Sequence, residues 1–145
     1  MEVEERMSQL DGVGGSRIDQ TRTAPAGRTK VLVVDDEEGV RRSLYWRLSA
    51  ADYDVIECPD GRDVVDIVKR EGIAVVVTDI LMPEREGIET ITQLRRECPK
   101  IPIIAMTGGD TVYLEVARNL GADRVLVKPV DLDYLIDWVR ELIAR

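Results

Sequence analysis

Residues 73 to 83, Ile-Ala-Val-Val-Val-Thr-Asp-Ile-Leu-Met-Pro, narrow the possible folds more than any other stretch of the chain. Ile73 to Val77 is an unbroken run of small and β-branched apolar residues without polar alternation. That pattern belongs to a strand buried on both faces, as in a parallel sheet covered by helices. A carboxylate, Asp79, closes the run, and Met82-Pro83 follows. Proline offers no N–H to a sheet ladder and disfavours helix at the residue before it, so the chain must turn here. Taken alone, Asp79 reads as a turn cap. At the carboxyl end of a central parallel strand, it also stands where open α/β sheets bind ligands.

The remaining chain repeats this strand-then-helix pattern. Val31–Val34 predicts a first strand, followed by a helix from about Glu37 to Ala51 with Val40, Leu44 and Leu48 on one face. Tyr53–Glu57 predicts a second strand, and a helix over about Arg62–Arg70 follows, with Asp60 as N-cap and Val64, Val65 and Val68 inward. After the opening stretch come a helix over Ile88–Glu97, a strand over Ile101–Met106 and a helix over Thr111–Leu120 ending at Gly121. Arg124–Val127 predicts the fifth strand, and Asp131 caps a last helix, Leu132–Ala144. Its apolar face carries Leu132, Leu135, Ile136, Val139, Leu142 and Ile143. Strict βα alternation implies a parallel sheet with right-handed crossovers and helices on both sides. Residues 1–29, broken by Gly12, Gly14, Gly15, Pro25 and Gly27, read as a flexible tail, and the folded domain as residues 30–145.

Composition removes several function classes. The 145 residues suit one domain, and a net charge of −8 argues against nucleic-acid binding through a basic face. No apolar run approaches the ~20 residues of a membrane span. Nothing resembles a signal peptide, so a cytoplasmic setting without membrane contact is expected. The chain has no histidine, and its two cysteines, Cys58 and Cys98, lack metal-ligand spacing. Chemistry is left to carboxylates, Thr, Lys and a hard cation.

Each polar signal falls at the carboxyl end of a predicted strand: Asp35-Asp36, Asp79, Thr107 and Lys128-Pro129. In a doubly wound sheet these ends share one crevice. Clustered carboxylates repel unless a cation compensates, and an all-oxygen set favours Mg²⁺ or Mn²⁺. A hydroxyl and an ammonium facing them would suit an anion on the same metal.

Asp35-Asp36, Asp79 with Met82-Pro83, Thr107-Gly108, Gly121-Ala122 and Lys128-Pro129 stand in one order along Lys30–Arg145. In this the chain resembles the response-regulator receiver domains of the CheY-like type. The resemblance implies a flavodoxin-like doubly wound (βα)5 three-layer sandwich with parallel strand order 2-1-3-4-5. It implies that Asp79 accepts a phosphoryl group from a histidine kinase or phosphotransfer protein. Asp36 and Asp79 would bind Mg²⁺, with Asp35 directly or through water and the Leu81 carbonyl completing the site. Thr107 and Lys128 would hold phosphoryl oxygens, Gly108 would leave room for the group, and Lys128-Pro129 would be cis. Without phosphate, Lys128 is expected to pair with Asp36 or Asp79.

The chain departs from the family pattern where an aromatic usually precedes the lysine by three residues; Val125 stands there, and the chain has no phenylalanine. The resemblance also implies that residues 81 and 109 flank the approach of a hydrolytic water. The apolar side chain of Leu81 and the missing one of Gly109 cannot hydrogen-bond it, so slow self-dephosphorylation is expected. Tyr134 and Trp138 form an i,i+4 pair off the apolar face of the last helix, and Tyr45, Trp46, Val112 and Val116 also fall at surface positions. Tyr134 and Trp138 are either rings lying along the surface or a partner or dimer patch, and Tyr45 and Trp46 on the first helix carry the same two readings. Val112 and Val116 could extend a surface beside the fourth helix. Output is expected through the face of the fourth helix, fifth strand and fifth helix. With the last helix closing the sequence, the chain reads as a stand-alone receiver, a regulator and not a conventional enzyme. Two rivals are weaker. An aspartyl-phosphate phosphotransferase or phosphatase needs an acid two residues past its nucleophile, where Leu81 stands. A nucleotide or flavin binder needs a glycine-rich loop where Asp35-Asp36-Glu37-Glu38 stands.

Overall fold

The computed structural model describes residues 27–81, 87–108 and 112–145. Most of the expected tail, together with Met82, Pro83, Gly109 and Thr111, lies outside the described residues. Strands β1 (Lys30–Val34), β2 (Asp54–Cys58), β3 (Val75–Asp79), β4 (Ile103–Thr107) and β5 (Arg124–Val127) form one parallel sheet in the order 2-1-3-4-5. Between and after them run α1 (Glu38–Ala50), α2 (Val64–Glu71), α3 (Gly87–Glu97), α4 (Val112–Leu120) and α5 (Leu132–Ala144).

The two-residue pleat divides the apolar strand residues between two cores. Val31, Val33, Val75 and Val77 face α1 and α5, where they pack with Leu44, Leu48, Leu135 and Val139. Leu32, Val34 and Val76 face the other side, with Val64, Val68, Ile91 and Leu94 from α2 and α3. Every residue of β3 is buried, which is why this strand shows no polar alternation. The strand lies two residues later than the apolar run suggests: Thr78 still pairs with Val34, and Asp79 with Met106.

Helix ends follow local chemistry. Asp131 caps α5, accepting from the backbone N–H groups of Asp133 and Tyr134. Gly121 ends α4 at φ 114°, with its N–H on Arg118 O and that of Ala122 on Ala117 O. Asp60 does not cap α2. Its carboxylate instead accepts from Arg62 N and pairs with the Arg62 guanidinium, closing a turn, and the helix starts later, at Val64.

At the edge of the sheet away from those polar strand ends, Arg95 ties three segments together. Its guanidinium donates to Ile101 O at 2.7 Å, Gly121 O at 3.0 Å and Asp123 Oδ2 at 3.0 Å. Asp123 Oδ2 also accepts from Ile103 N. Arg95→Ala strands these acceptors, so a loss of about 2 to 3 kcal/mol is expected, read as a lower urea midpoint at unchanged slope.

Candidate phosphoacceptor and metal site

The carboxyl ends of β1, β3, β4 and β5 converge on one acidic hollow, and backbone hydrogen bonds fix each contributing residue. Asp35 N donates to Cys58 O, Ile80 N to Met106 O and Lys128 N to Thr107 O. Carboxylate oxygens of Asp35, Asp36 and Asp79 lie within 4.8 Å of one another. Asp35 is 0% and Asp79 5% exposed. Asp36 lies open at the mouth. The Lys128-Pro129 bond is cis.

The Lys128 ammonium sits 3.0 Å from Asp79 Oδ2 and 2.9 Å from Asp35 Oδ2. Its third carboxylate is Glu37, at 3.1 Å. The expected pairing with Asp79 is therefore present. The alternative through Asp36 is replaced by Asp35 and Glu37, because Asp35, and not Asp36, points into the buried end of the hollow. Burial acts to lower the Lys128 pKa, but its pairing with Asp35, Asp79 and Glu37 prevails, and the net shift is upward. Burial pushes the Asp79 carboxyl above its ordinary value. The hydrogen bond from Lys128 opposes that shift, and the nearby charge of Asp35 adds to it.

Leu81 N donates to Asp79 Oδ1 at 3.3 Å, so the chain folds back on the carboxylate directly after β3. Thr107 is 1% exposed, and its Oγ1 has no hydrogen-bond partner among the described residues. Beside it, a Cβ added at Gly108 would meet nothing within 4 Å. The site thus combines an all-oxygen acidic donor set, an ammonium, a buried hydroxyl without a partner and open space at the next residue.

Three further residues shape it. Glu37 reaches Lys128 from the start of α1. Arg41 donates from its guanidinium to Asp35 O at 2.8 Å and to Glu57 Oε1 at 3.2 Å, gripping the chain behind the acidic pair. Gly87 opens α3 against the backbone of Asp79 and Ile80. A carboxylate directly after the acidic pair is visible in the sequence as the quartet 35–38, whereas nothing local marks Arg41 or Gly87.

Val125, where the family usually has an aromatic, is half-buried against the core on the α2–α4 side, as is Tyr113. Trp138 does not stand clear of the core as its helical position suggests. It packs against the α1–α5 core, with the Arg124 guanidinium 5.8 Å from its ring and Tyr134 stacked at 6.3 Å. Tyr134 itself is exposed.

The sequence model of the response regulator receiver domain matches residues 31–140. The response regulator MprA of Mycolicibacterium vanbaalenii is 38% identical over 117 residues, covering 80% of this chain and 51% of that protein. The probable transcriptional regulator ycf27 of Porphyridium aerugineum is 39% identical over 119 residues, 81% of this chain and 49% of that protein. The chain thus spans about half the length of these relatives. Among solved structures, the chemotaxis response regulator CheY4 of Vibrio cholerae superposes with a TM-score of 0.71 at 26% identity, covering 79% of this chain and 98% of that one. The receiver domain of the Francisella response regulator 1452 gives a TM-score of 0.75 at 28% identity, covering 81% and 98%. The family match takes in all five strands but for Lys30, together with every strand end that lines the hollow, and this chain belongs to the response regulator receiver family of two-component signalling.

Proposed function

We propose that the domain accepts a phosphoryl group on Asp79 from the phosphohistidine of a histidine kinase or phosphotransfer protein, and signals through protein contacts. The observation that carries this reading is the meeting of Asp79 with Asp35, Asp36 and the Lys128 ammonium at the carboxyl edge of the sheet. In the transfer, an Asp79 carboxylate oxygen attacks phosphorus and the P–N bond breaks. Its electron pair returns to the imidazole nitrogen, and a P–O bond of an acyl phosphate remains. Phosphoryl transfer asks a protein mainly for alignment and for neutralisation of the equatorial oxygens. Lys128 supplies positive charge for one oxygen. Thr107 Oγ1, buried without a partner among the described residues, supplies a donor for another, recovering a hydrogen bond whose absence costs about 1 to 3 kcal/mol.

Asp35, Asp36 and Asp79, with the Leu81 carbonyl, would hold Mg²⁺ or Mn²⁺. Bound there, the cation neutralises the charge that builds on the transferring group. Incubation of the full chain with phosphoramidate and Mg²⁺, followed by intact-mass measurement, tests the reading. One added phosphoryl group per chain is expected, and none without the cation.

Metal binding also has a signature independent of transfer. Mg²⁺ at ~100 times its Kd is expected to stabilise the fold by about 2.7 kcal/mol. Asp36→Asn weakens that response and, by removing one of three neighbouring carboxylates, raises the melting temperature of the metal-free protein. A thermal melt of the wild type that ignores Mg²⁺ would contradict the site.

Output would leave through the surface of α4, β5 and α5, where Val112, Val127 and Tyr134 are 54%, 48% and 58% exposed. Exposed tyrosines such as Tyr134 anchor protein interfaces. Among the described residues no helix is long and apolar enough to cross a membrane. We read the domain as cytoplasmic and regulatory, with a net charge of −8 that disfavours direct nucleic-acid contact by its own surface. Relatives about twice as long are named transcriptional regulators, so a DNA-linked output would belong to segments beyond the matched region.

A further inference from the structure

An ammonium has three protons to donate; that of Lys128 donates to Asp79 at 3.0 Å and to Glu37 at 3.1 Å, while Asp35 Oδ2 lies 2.9 Å away as an ion-pair partner that accepts no hydrogen bond among the described residues. Three carboxylates crowd this nitrogen, so a phosphoryl oxygen that comes to it competes with them. The partners are unequal. The side chains of Asp35 and Asp79 are 0% and 7% exposed, whereas that of Glu37 is 61% exposed. Moving the ammonium away from a buried carboxylate costs more than moving it from an exposed one, because water cannot reach the buried charge to replace the lost partner. Releasing an exposed carboxylate to solvent costs at most about 1 kcal/mol.

The local backbone explains why Glu37 is available. Its N–H donates to Asp35 Oδ1 at 2.9 Å, and its carbonyl accepts from Arg41 N at 3.0 Å. The main chain is therefore held at both ends. Glu37 occupies the N-cap position of α1, yet its carboxylate makes no capping hydrogen bond among the described residues. It crosses the mouth of the hollow to Lys128 instead.

Building on the phosphoacceptor reading, we propose that Glu37 is a positioning residue that occupies an exchangeable N–H of Lys128 and is displaced by the incoming phosphoryl oxygen. Until then it keeps the ammonium aimed at the mouth, and its negative charge opposes an anionic phosphodonor. Glu37 therefore sets how readily the site binds a phosphodonor, and leaves the later bond exchange on Asp79 to the buried residues.

The test uses the full chain with saturating Mg²⁺ and phosphoramidate, whose P–N bond breaks with loss of ammonia as Asp79 is phosphorylated. Initial rates by intact mass are fitted for half-saturating concentration and maximal rate. In Glu37→Gln the half-saturating concentration is expected to fall roughly two- to fivefold, the range that a modest exposed ion pair supplies. The maximal rate should change less than twofold. The gap between variant and wild type should narrow at ~0.5 M salt, where charges near the mouth are screened. Beryllofluoride, read by the same pair of proteins at equilibrium, should bind tighter to the variant by a similar factor. An unchanged or raised half-saturating concentration, or an effect confined to the maximal rate, overturns the role of Glu37 while leaving the phosphoacceptor reading intact. A wild type that gains no phosphoryl group at all removes both.

Discussion

Asp79→Asn is expected to abolish phosphorylation completely, with the fold kept and, in the absence of Mg²⁺, strengthened. The amide is nearly the size of the carboxylate, but its oxygen is a poor nucleophile and cannot carry the acyl phosphate. Packing should not change, since the residue keeps its place in β3 opposite Met106 and can still accept from Lys128. What changes is charge. Burial raises the Asp79 pKa in the folded protein, and the neighbouring Asp35 charge pushes the same way. A carboxyl whose folded pKa exceeds its unfolded value favours folding most when protonated. Its contribution is lost as pH rises from the unfolded value through the folded one. The asparagine variant has no such loss. Its advantage in melting temperature over the metal-free wild type should therefore grow from about pH 4 toward neutrality. Melts in chelator at several pH values read this, and intact mass after phosphoramidate reads the loss of transfer. A variant that still gains a phosphoryl group at the wild-type rate would remove Asp79 as acceptor.

What could be read from the sequence was the part set by local pattern. The buried run before Asp79 identified the central strand, and the spacing of Leu135, Ile136, Val139 and Leu142 identified the inward face of α5. Asp52, just past the end of α1, adopts φ 72°, a conformation that aspartate tolerates better than most residues. The shifted limits of β3 have a simple cause. Thr78 and Asp79 are polar, so they look like the end of a strand, but the backbone ladder does not depend on side-chain polarity and runs on through them. Asp60 failed as a cap for a related reason: the intervening turn satisfied its carboxylate before the helix began.

The site itself divides the same way. Its acids, hydroxyl and lysine stand at strand ends, which a βα pattern locates. The partner choice of Lys128 was not legible, because Asp35 and Asp36 are neighbours in sequence that leave the strand on opposite sides. Only the pleat decides which becomes buried. Glu37 pairs with a residue 91 positions away, and Arg41 holds the backbone of Asp35 through a helix turn and a loop. Trp138 illustrates a limit of helical wheels: a ring this large covers core from the flank of a stripe, with a guanidinium over its face.

Among the described glycines, Gly87→Ala should be the most damaging substitution. A Cβ there would lie 2.0 Å from Asp79 O, 2.5 Å from Ile80 Cα and 2.7 Å from Ile80 O. All are backbone atoms, so no side-chain rotation relieves the collision. Nor can the strand end retreat easily: Ile80 is fully buried, its N–H is bonded to Met106 O, and its carbonyl accepts from Gly87 N. Either α3 lifts away, opening the core around Ile91 and Leu94, or Asp79 is pushed out of line with Lys128. Overpacking of flexible cores costs about 1 to 3 kcal/mol, and this rigid contact should reach ~3 kcal/mol or more. Misplacement of a reacting group by about 1 Å can slow a reaction ~100-fold, so phosphoramidate transfer should fall by a factor of that order in whatever fraction stays folded. Gly39, inside α1 with nothing within 4 Å of its would-be Cβ, provides the control. There the same substitution removes glycine's backbone freedom from a helix and should stabilise by about 0.5 to 1 kcal/mol. Urea midpoints moving in opposite directions for the two variants are the expected result. A Gly87→Ala protein as stable and as readily phosphorylated as wild type would mean that α3 does not press on the end of β3.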